Sequence, residues 1–358
     1  MFFSGYQRPA MLTWTLETRE LPLRFTWKIS RNSSTAKTNL LVRLASDKGP
    51  IGWGEVAPNI RYGETAQGLQ SEFEQLQAAG LGRVESLQEL EEILEAQALS
   101  HALRFGLESA YVHWLAGQRG QTVSQVLGVM APAVAVPTAF TLPIMEPGAV
   151  ASFVQEQQMG RFEILKIKVN QESGYDLLRE ITRVLPGRPL IIDGNEAWTD
   201  ADGLLAFLEK LALLPALRVR LLEQPLPAAC TDHYQYLRAR SPYPVFADES
   251  VTDAPDFGDI AQQFHGVNMK LMKAGGYRNG IRLLRETQAH GLQTMLGCMV
   301  ETSLGIWSAL QVSSLAQVCD LDGFLVVRDE PFGLVQEERG LLTATATPQL
   351  ENQARVRS

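Results

Sequence analysis

Two lysines, Lys166 and Lys168, stand two residues apart in the stretch FEILKIKVN, on the same side of an extended chain as Phe162 and Ile164. A strand that runs from apolar to doubly cationic on one face is either frayed into solvent or built into a site. Further along, other short apolar runs also end in ionisable groups. Asp193 and Asn195 lie in IIDGN, Glu223 in LLEQP, Asp248 and Glu249 in FADES, Lys270 in NMKLMKAGG, and Asp320 and Asp322 in DLDG. The carboxylates of Asp193, Glu223 and Asp248 are the natural ligand set of a hard divalent cation, and Mg2+ fits them best. Asn195 shares the face of Asp193, and with Glu249 it would support the ligands from behind. Lys168 and Lys270 could remove a proton from one face of a carbon and return one to the other, which is racemisation or epimerisation. A lysine that acts as a base near neutral pH needs its pKa brought down from about 10.4, by desolvation and a neighbouring cation, and Lys166 is such a neighbour. The α-hydrogen of a carboxylate is very weakly acidic, so its abstraction needs a metal and a cation to stabilise the enediolate; a carboxylate substrate is implied. Taken singly, each residue has a plainer reading, as a helix cap or a solvated charge. Their recurrence at consecutive strand ends favours a site.

Such a site needs a scaffold that brings strand ends together. After APAVAVP the chain alternates short apolar strands with amphipathic helical segments: TAFTLPI, FEILKIKV, PLIIDGN, VRLLEQPL, YPVFADES, GVNMKLM, LQTMLGCM and the segment around CDLDGF. Eight βα units predict a closed parallel barrel of the TIM type, an α/β fold whose last strand lacks a full helix of its own. An open doubly wound sheet is the competitor, but no GxGxxG turn follows the first strand. Before the barrel, LTWTLETREL, LPLRFTWKIS, TNLLVRLAS and PIGWGEV alternate like a small antiparallel sheet of three or four strands, with a turn at DKG. Helical periodicity follows from Glu64 to about Gly128. The expected division is an α+β domain over 1–130, a barrel over 131–325, and a segment 326–358 that packs back on the first domain.

The 358 residues are 45% hydrophobic and 20% charged, ordinary for a globular protein with a substantial core. A net charge of −8 gives no electrostatic reason to expect nucleic acid. Apolar runs too short for a bilayer, and a start lacking the features of a secretory signal, predict no membrane partner and a cytoplasmic location. Cys230, Cys298 and Cys319 form no CxxC pair and read as buried free thiols. A homo-oligomer is the prior for a soluble enzyme.

The KxK of Lys166 and Lys168, the acids within IIDGN, LLEQP and FADES, and the NMKLMKAGG segment together resemble the enolase superfamily, muconate-lactonizing subgroup. The resemblance covers nearly the whole chain and implies an α+β capping domain before a modified (β/α)7β barrel. DLDG points within that subgroup to the dipeptide epimerases, in which Asp320 and Asp322 would hold the α-ammonium of a dipeptide. Paired carboxylates suit a free amine. The resemblance further implies that Lys168 and Lys270 are the acid/base pair, with Lys166 an electrostatic helper, and that the α-carbon of the C-terminal residue is epimerised. Lys273 is nearby, but NMKL matches the catalytic position better. Specificity would come from a mobile loop of the cap around Trp27 to Thr35, where Arg31 is similar to the arginine that receives a glutamate side chain; Arg24 competes for that role. Cys298 and Glu301, in GCMVETS, are expected to line or brace the pocket. The first reading is a Mg2+-dependent dipeptide epimerase acting on L-Ala-D/L-Glu from cell-wall peptide recycling. An o-succinylbenzoate synthase or N-succinylamino acid racemase is the alternative within the subgroup; a Schiff-base lyase and a non-catalytic binding barrel are alternatives of other classes.

Overall fold

The computed structural model describes residues 11–47 and 49–345. Residues 1–10, Lys48 of the DKG turn and 346–358 of the expected closing segment lie outside the described residues. The chain opens with an antiparallel sheet of three strands, β1 (Thr13–Lys28), β2 (Ser33–Ala45) and β3 (Ile51–Val56). LTWTLETREL and LPLRFTWKIS, expected as separate strands, are one. β1 runs through Pro22 because it is the edge of the sheet, where a missing N–H breaks no ladder, and the register shifts between Pro22 and Trp27. Its outer edge is covered by the segment after the barrel: Leu23 bridges Val327, and the Arg328 N–H donates to the Pro22 carbonyl.

Helices Ala66–Ala79, Leu87–Ala96 and His101–Arg119 follow. Thr65 and Ser86 cap the first two by accepting backbone N–H bonds, and Gly80 and Gly120 end the first and third in the left-handed conformation. The third helix lies directly on β3. The GxG of IGWGEV makes this possible, since a Cβ on Gly52 or Gly54 would collide with the carbonyls of Ala110 or Gly106.

After β4 (Val136–Pro137) come the barrel strands, β5 (Ala139–Leu142), β6 (Ile164–Lys168), β7 (Pro189–Asp193), β8 (Arg218–Glu223), β9 (Val245–Ala247), β10 (Gly266–Lys270), β11 (Gln293–Gly297) and β12 (Val318–Asp320). They form one sheet of eight strands in sequential order, each pair parallel, with helices connecting them. The turn from β12 to β5 is closed by side chains: the Leu321 N–H donates to the Thr138 hydroxyl (2.8 Å), and the Thr141 N–H to Asp322 Oδ2 (2.6 Å). Alternation along each strand sorts the interior into layers. Ala139, Ile191, Leu221, Phe246, Met295 and Val318 pack with Ile164 as an apolar floor. Two residues further along the same strands stand Thr141, Asp193, Glu223, Asp248, Gly297, Asp320 and Lys166. Within the barrel the apolar floor thus gives way, one layer up, to buried ionisable groups.

The described part of the closing segment, β13 (Val335–Glu338) and β14 (Leu341–Ala344), pairs with β4 instead of extending β1–β3. Its end is held by Trp307, whose Nε1 donates to the Thr345 carbonyl (3.0 Å). Of the three free cysteines, Cys319 is buried, while Cys230 and Cys298 are only partly so, contrary to expectation. Cys298 is partly open because it faces the central cavity. No described helix is long and apolar enough to cross a membrane.

His113 ties the first domain to the barrel. Its Nδ1 lies 2.6 Å from the Trp53 carbonyl and must donate to it, so Nε2 accepts from the Tyr277 hydroxyl at 2.9 Å. Burial, only partly offset by the Trp53 carbonyl, lowers its pKa from 6.5 to about 4. The unfolded chain therefore takes up the proton first. This contribution is fully present above pH 6.5 and is lost as pH falls toward 4, on the order of 3 kcal/mol in all. We expect His113→Gln to flatten the fall of Tm between pH 6.5 and 4 in thermal melts; parallel profiles for the two proteins would sink this assignment.

Candidate active site

Each inward-facing ionisable group sits where strand alternation sends it, at the carboxyl end of a barrel strand under the N-terminal sheet. Lys166, Lys168, Asp248, Lys270, Asp320 and Asp322 line a cavity of about 620 Å3, within the range of small-ligand sites, while Asp193 and Glu223 are buried behind the lysines. Lys166, from β6, lies at its centre, with Nζ 2.8 Å from Glu223 Oε1, 2.9 Å from Asp320 Oδ2 and 3.1 Å from Asp193 Oδ2. Lys168 donates to Asp193 Oδ2 (2.8 Å) and Asn195 Oδ1 (2.9 Å). On the far wall, Lys270 donates to Asp248 Oδ2 (2.9 Å). Strands β7, β8 and β9 separate β6 from β10 on one side, and β11, β12 and β5 on the other. Lys168 and Lys270 therefore face each other across the mouth.

The electrostatics follow from burial set against these pairs. Burial alone would raise the Asp193 pKa, but Lys166 and Lys168 outweigh it and bring it to about 2. Asp248 is held well below its ordinary value in the same way, by Lys270 and Lys273. For Lys166 burial is overcome by Asp193, Asp320 and Glu223, which raise it. For Lys270, burial and the cation Lys166 act to lower the pKa, but the anions Asp248, Glu223 and Glu249 outweigh them and raise it, opposite to the lowering expected of a lysine base. Burial pushes Glu223 and Asp322 up to about 7 each.

The residues at the ends of β7, β8 and β9 fit a hard divalent cation. Glu223 Oε2 is buried without any hydrogen-bond partner, an orphaned anionic oxygen that a cation would satisfy. Among the described residues no three acids, histidines or cysteines are already drawn together at ligand spacing, because lysine ammoniums stand between the carboxylates. Asn268, which sequence reasoning missed, donates to Glu223 Oε1 at 2.9 Å. It shares the inward parity of Lys270 within NMKL, so alternation could have found it. Asp320 keeps Oδ1 buried and unpartnered, whereas Asp322 uses Oδ2 to close the barrel.

The structure brings Arg31, Asn195, Glu249 and Cys298 to this cavity as well; Glu301 does not line it but braces it by accepting the N–H of Met299 (2.8 Å), and Arg24 and Lys273 stand apart. Arg24 turns its Nε to the Val327 carbonyl (3.0 Å), on the edge of β1. Lys273 is spent on the Asp248 carboxylate and on the carbonyls of Asp248 and Asn268. Arg31 itself is not free. Its guanidinium bridges Glu196 Oε2 (2.6 Å) and Glu249 Oε1 (2.7 Å) and donates to the Asn195 carbonyl (3.0 Å). The expected loop over Trp27 to Thr35 is a tight turn, with the Ile29 N–H on the Asn32 carbonyl, clasped to the barrel at this point. Arg61 reaches the same Glu196 carboxylate at 3.0 Å. Asn195 and Glu196 are consecutive residues with φ of 43° and 63°, and the clasp holds them there. Sequence gave no sign of Glu196 beyond its place after IIDGN.

Comparison with known proteins adds to this geometry. The family described as enolase C-terminal domain-like matches residues 149–338. An L-Ala-D/L-amino acid epimerase of Pedosphaera parvula is 30% identical, over 92% of this chain and 95% of its own length. The L-Ala-D/L-Glu epimerase of Escherichia coli is 31% identical, over 87% of this chain and 93% of its own. Among solved structures, the dipeptide epimerase of Methylococcus capsulatus, complexed with Mg and the dipeptide L-Arg-D-Lys, superposes with a TM-score of 0.83 at 27% identity, covering 95% of this chain and 99% of that one.

Proposed function

We propose, from the premise that this chain belongs to the enolase C-terminal domain-like family, that it is an isomerase, a Mg2+-dependent dipeptide epimerase. The single observation that carries this reading is the opposition of Lys168 and Lys270 across one mouth, with paired aspartates beside it. Asp193, Glu223 and Asp248 would hold the metal, which when bound supplies positive charge for the substrate carboxylate and acidifies its α-hydrogen. One lysine, as the free amine, takes the α-proton of the C-terminal residue. The opposite lysine, as the ammonium, delivers a proton to the other face. Configuration inverts, the two lysines exchange protonation states, and exchange with water resets them. Lys166 adds a fixed cation at the centre of the site. Asp320, with its unpartnered Oδ1, and Asp322 would receive the peptide ammonium.

The same proposal assigns 1–130 to a cap, 131–325 to the barrel and 326–358 to a closing segment, and places the enzyme in the cytoplasm, in cell-wall peptide metabolism, on L-Ala-D/L-Glu. Incubation with Mg2+ and pooled L,L-dipeptides in D2O, read by mass spectrometry, is expected to show one deuterium gained per peptide at the C-terminal α-carbon. Exchange into N-succinylamino acids and not into any dipeptide would replace this reading with the racemase alternative.

A further inference from the structure

Six cationic side chains line the cavity: Arg31, Lys37, Arg61, Lys166, Lys168 and Lys270. Five are neutralised in place. Arg31 lies on Glu196 and Glu249, Arg61 on Glu196, Lys166 on Asp193, Glu223 and Asp320, Lys168 on Asp193, and Lys270 on Asp248. Lys37 is the exception: among the described residues no hydrogen bond or ion pair reaches its ammonium, although the side chain is partly buried. Burial lowers its pKa with nothing to offset the shift. A half-buried cation that faces a ligand cavity without a counter-ion is satisfied by an anion that the ligand brings.

We propose that Lys37 receives an anionic side chain of the substrate and is the residue that sets a preference for peptides with an acidic residue. The inference rests on the dipeptide reading. There the peptide ammonium goes to Asp320 and Asp322 and its α-carboxylate to the metal and lysines, so the anion left for Lys37 is a side chain. Arg31, the residue expected from sequence to do this, is occupied by two carboxylates of the protein itself. Lys37 is also better fixed. It stands in the ladder of β2 opposite Leu21, not in the turn, and a rigid element positions a specificity contact more tightly than a loop does.

The test compares kcat/KM for deuterium exchange into L-Ala-L-Glu and its neutral isostere L-Ala-L-Gln, with L-Ala-L-Lys as third substrate and Mg2+ present throughout. Wild type is expected to favour the glutamate peptide by about 10- to 100-fold, the span of one charge-assisted contact. Lys37→Gln should bring that ratio near one, Lys37→Glu should turn the preference toward L-Ala-L-Lys, and Arg31→Gln should leave the ratio above 10-fold. A wild-type ratio near one overturns the proposal whether or not the variants fold. So does a Lys37→Gln enzyme with the wild-type ratio, or an Arg31→Gln enzyme that has lost it. Exchange into none of the three peptides by wild type overturns the dipeptide reading itself, an outcome distinct from exchange without charge preference.

Discussion

Lys168→Ala and Lys270→Ala are each expected to lower epimerisation by about 10,000-fold, the upper end of what a positioned acid or base contributes, while leaving the protein folded. Inversion needs a proton removed on one face and another supplied on the opposite face, so neither lysine can replace the other. Deuterium exchange without inversion needs only one of them. Each variant should therefore keep exchange into one epimer of the dipeptide and lose it into the other, and the two variants should show opposite preferences. The fold survives because no carboxylate is stranded. Asp193 keeps Lys166 when Lys168 is removed, and Asp248 keeps Lys273 when Lys270 is removed. Full epimerase activity in both variants would rule out the two-lysine mechanism, and a shared loss of exchange into both epimers would point to a role in binding.

Removal of the metal is the second large effect. After EDTA treatment and desalting, exchange into dipeptides should disappear and return on addition of Mg2+, while near-UV circular dichroism stays that of the loaded enzyme. Stability follows from the ion pairs already present: each of Asp193, Glu223 and Asp248 has a lysine ammonium on it, so the unloaded site is not a cluster of bare anions. A metal that binds the native state selectively stabilises it by mass action, so Tm should rise with Mg2+ concentration. Glu223→Gln should abolish that rise in Tm, a readout independent of turnover, because it converts the orphaned oxygen into an amide group. Activity that survives EDTA, with borohydride trapping an adduct on Lys270, would instead favour Schiff-base chemistry.

The clasp at Asn195 and Glu196 bears on both results. The Asn195 side chain accepts from Lys168 while its carbonyl accepts from Ser30 (2.7 Å) and Arg31, so one residue meets both the N-terminal sheet's turn and the lysine proposed as acid/base. Contact between the N-terminal sheet and the barrel is built into the setting of a proposed catalytic group.

Much of this protein was determined by local sequence. Strand parity alone put Lys166, Asp193, Glu223, Asp248 and Asp320 on one inward layer, because side chains alternate with a period of two, and eight βα units leave a parallel sheet few ways to bury both faces. The same parity would have yielded Asn268. What parity cannot express is which charge is already answered. Arg31 and Lys37 are both cations of the β1–β2 hairpin, and nothing in their neighbours along the chain distinguishes them. The difference arises from Glu196 and Glu249, residues over 150 positions away that the fold sets against Arg31. Pairing depends on distances between segments remote in sequence, and so do the orphaned Oε2 of Glu223, the side-chain closure of the barrel by Asp322 and the left-handed pair at Asn195 and Glu196. Those were decided only when the chain closed on itself.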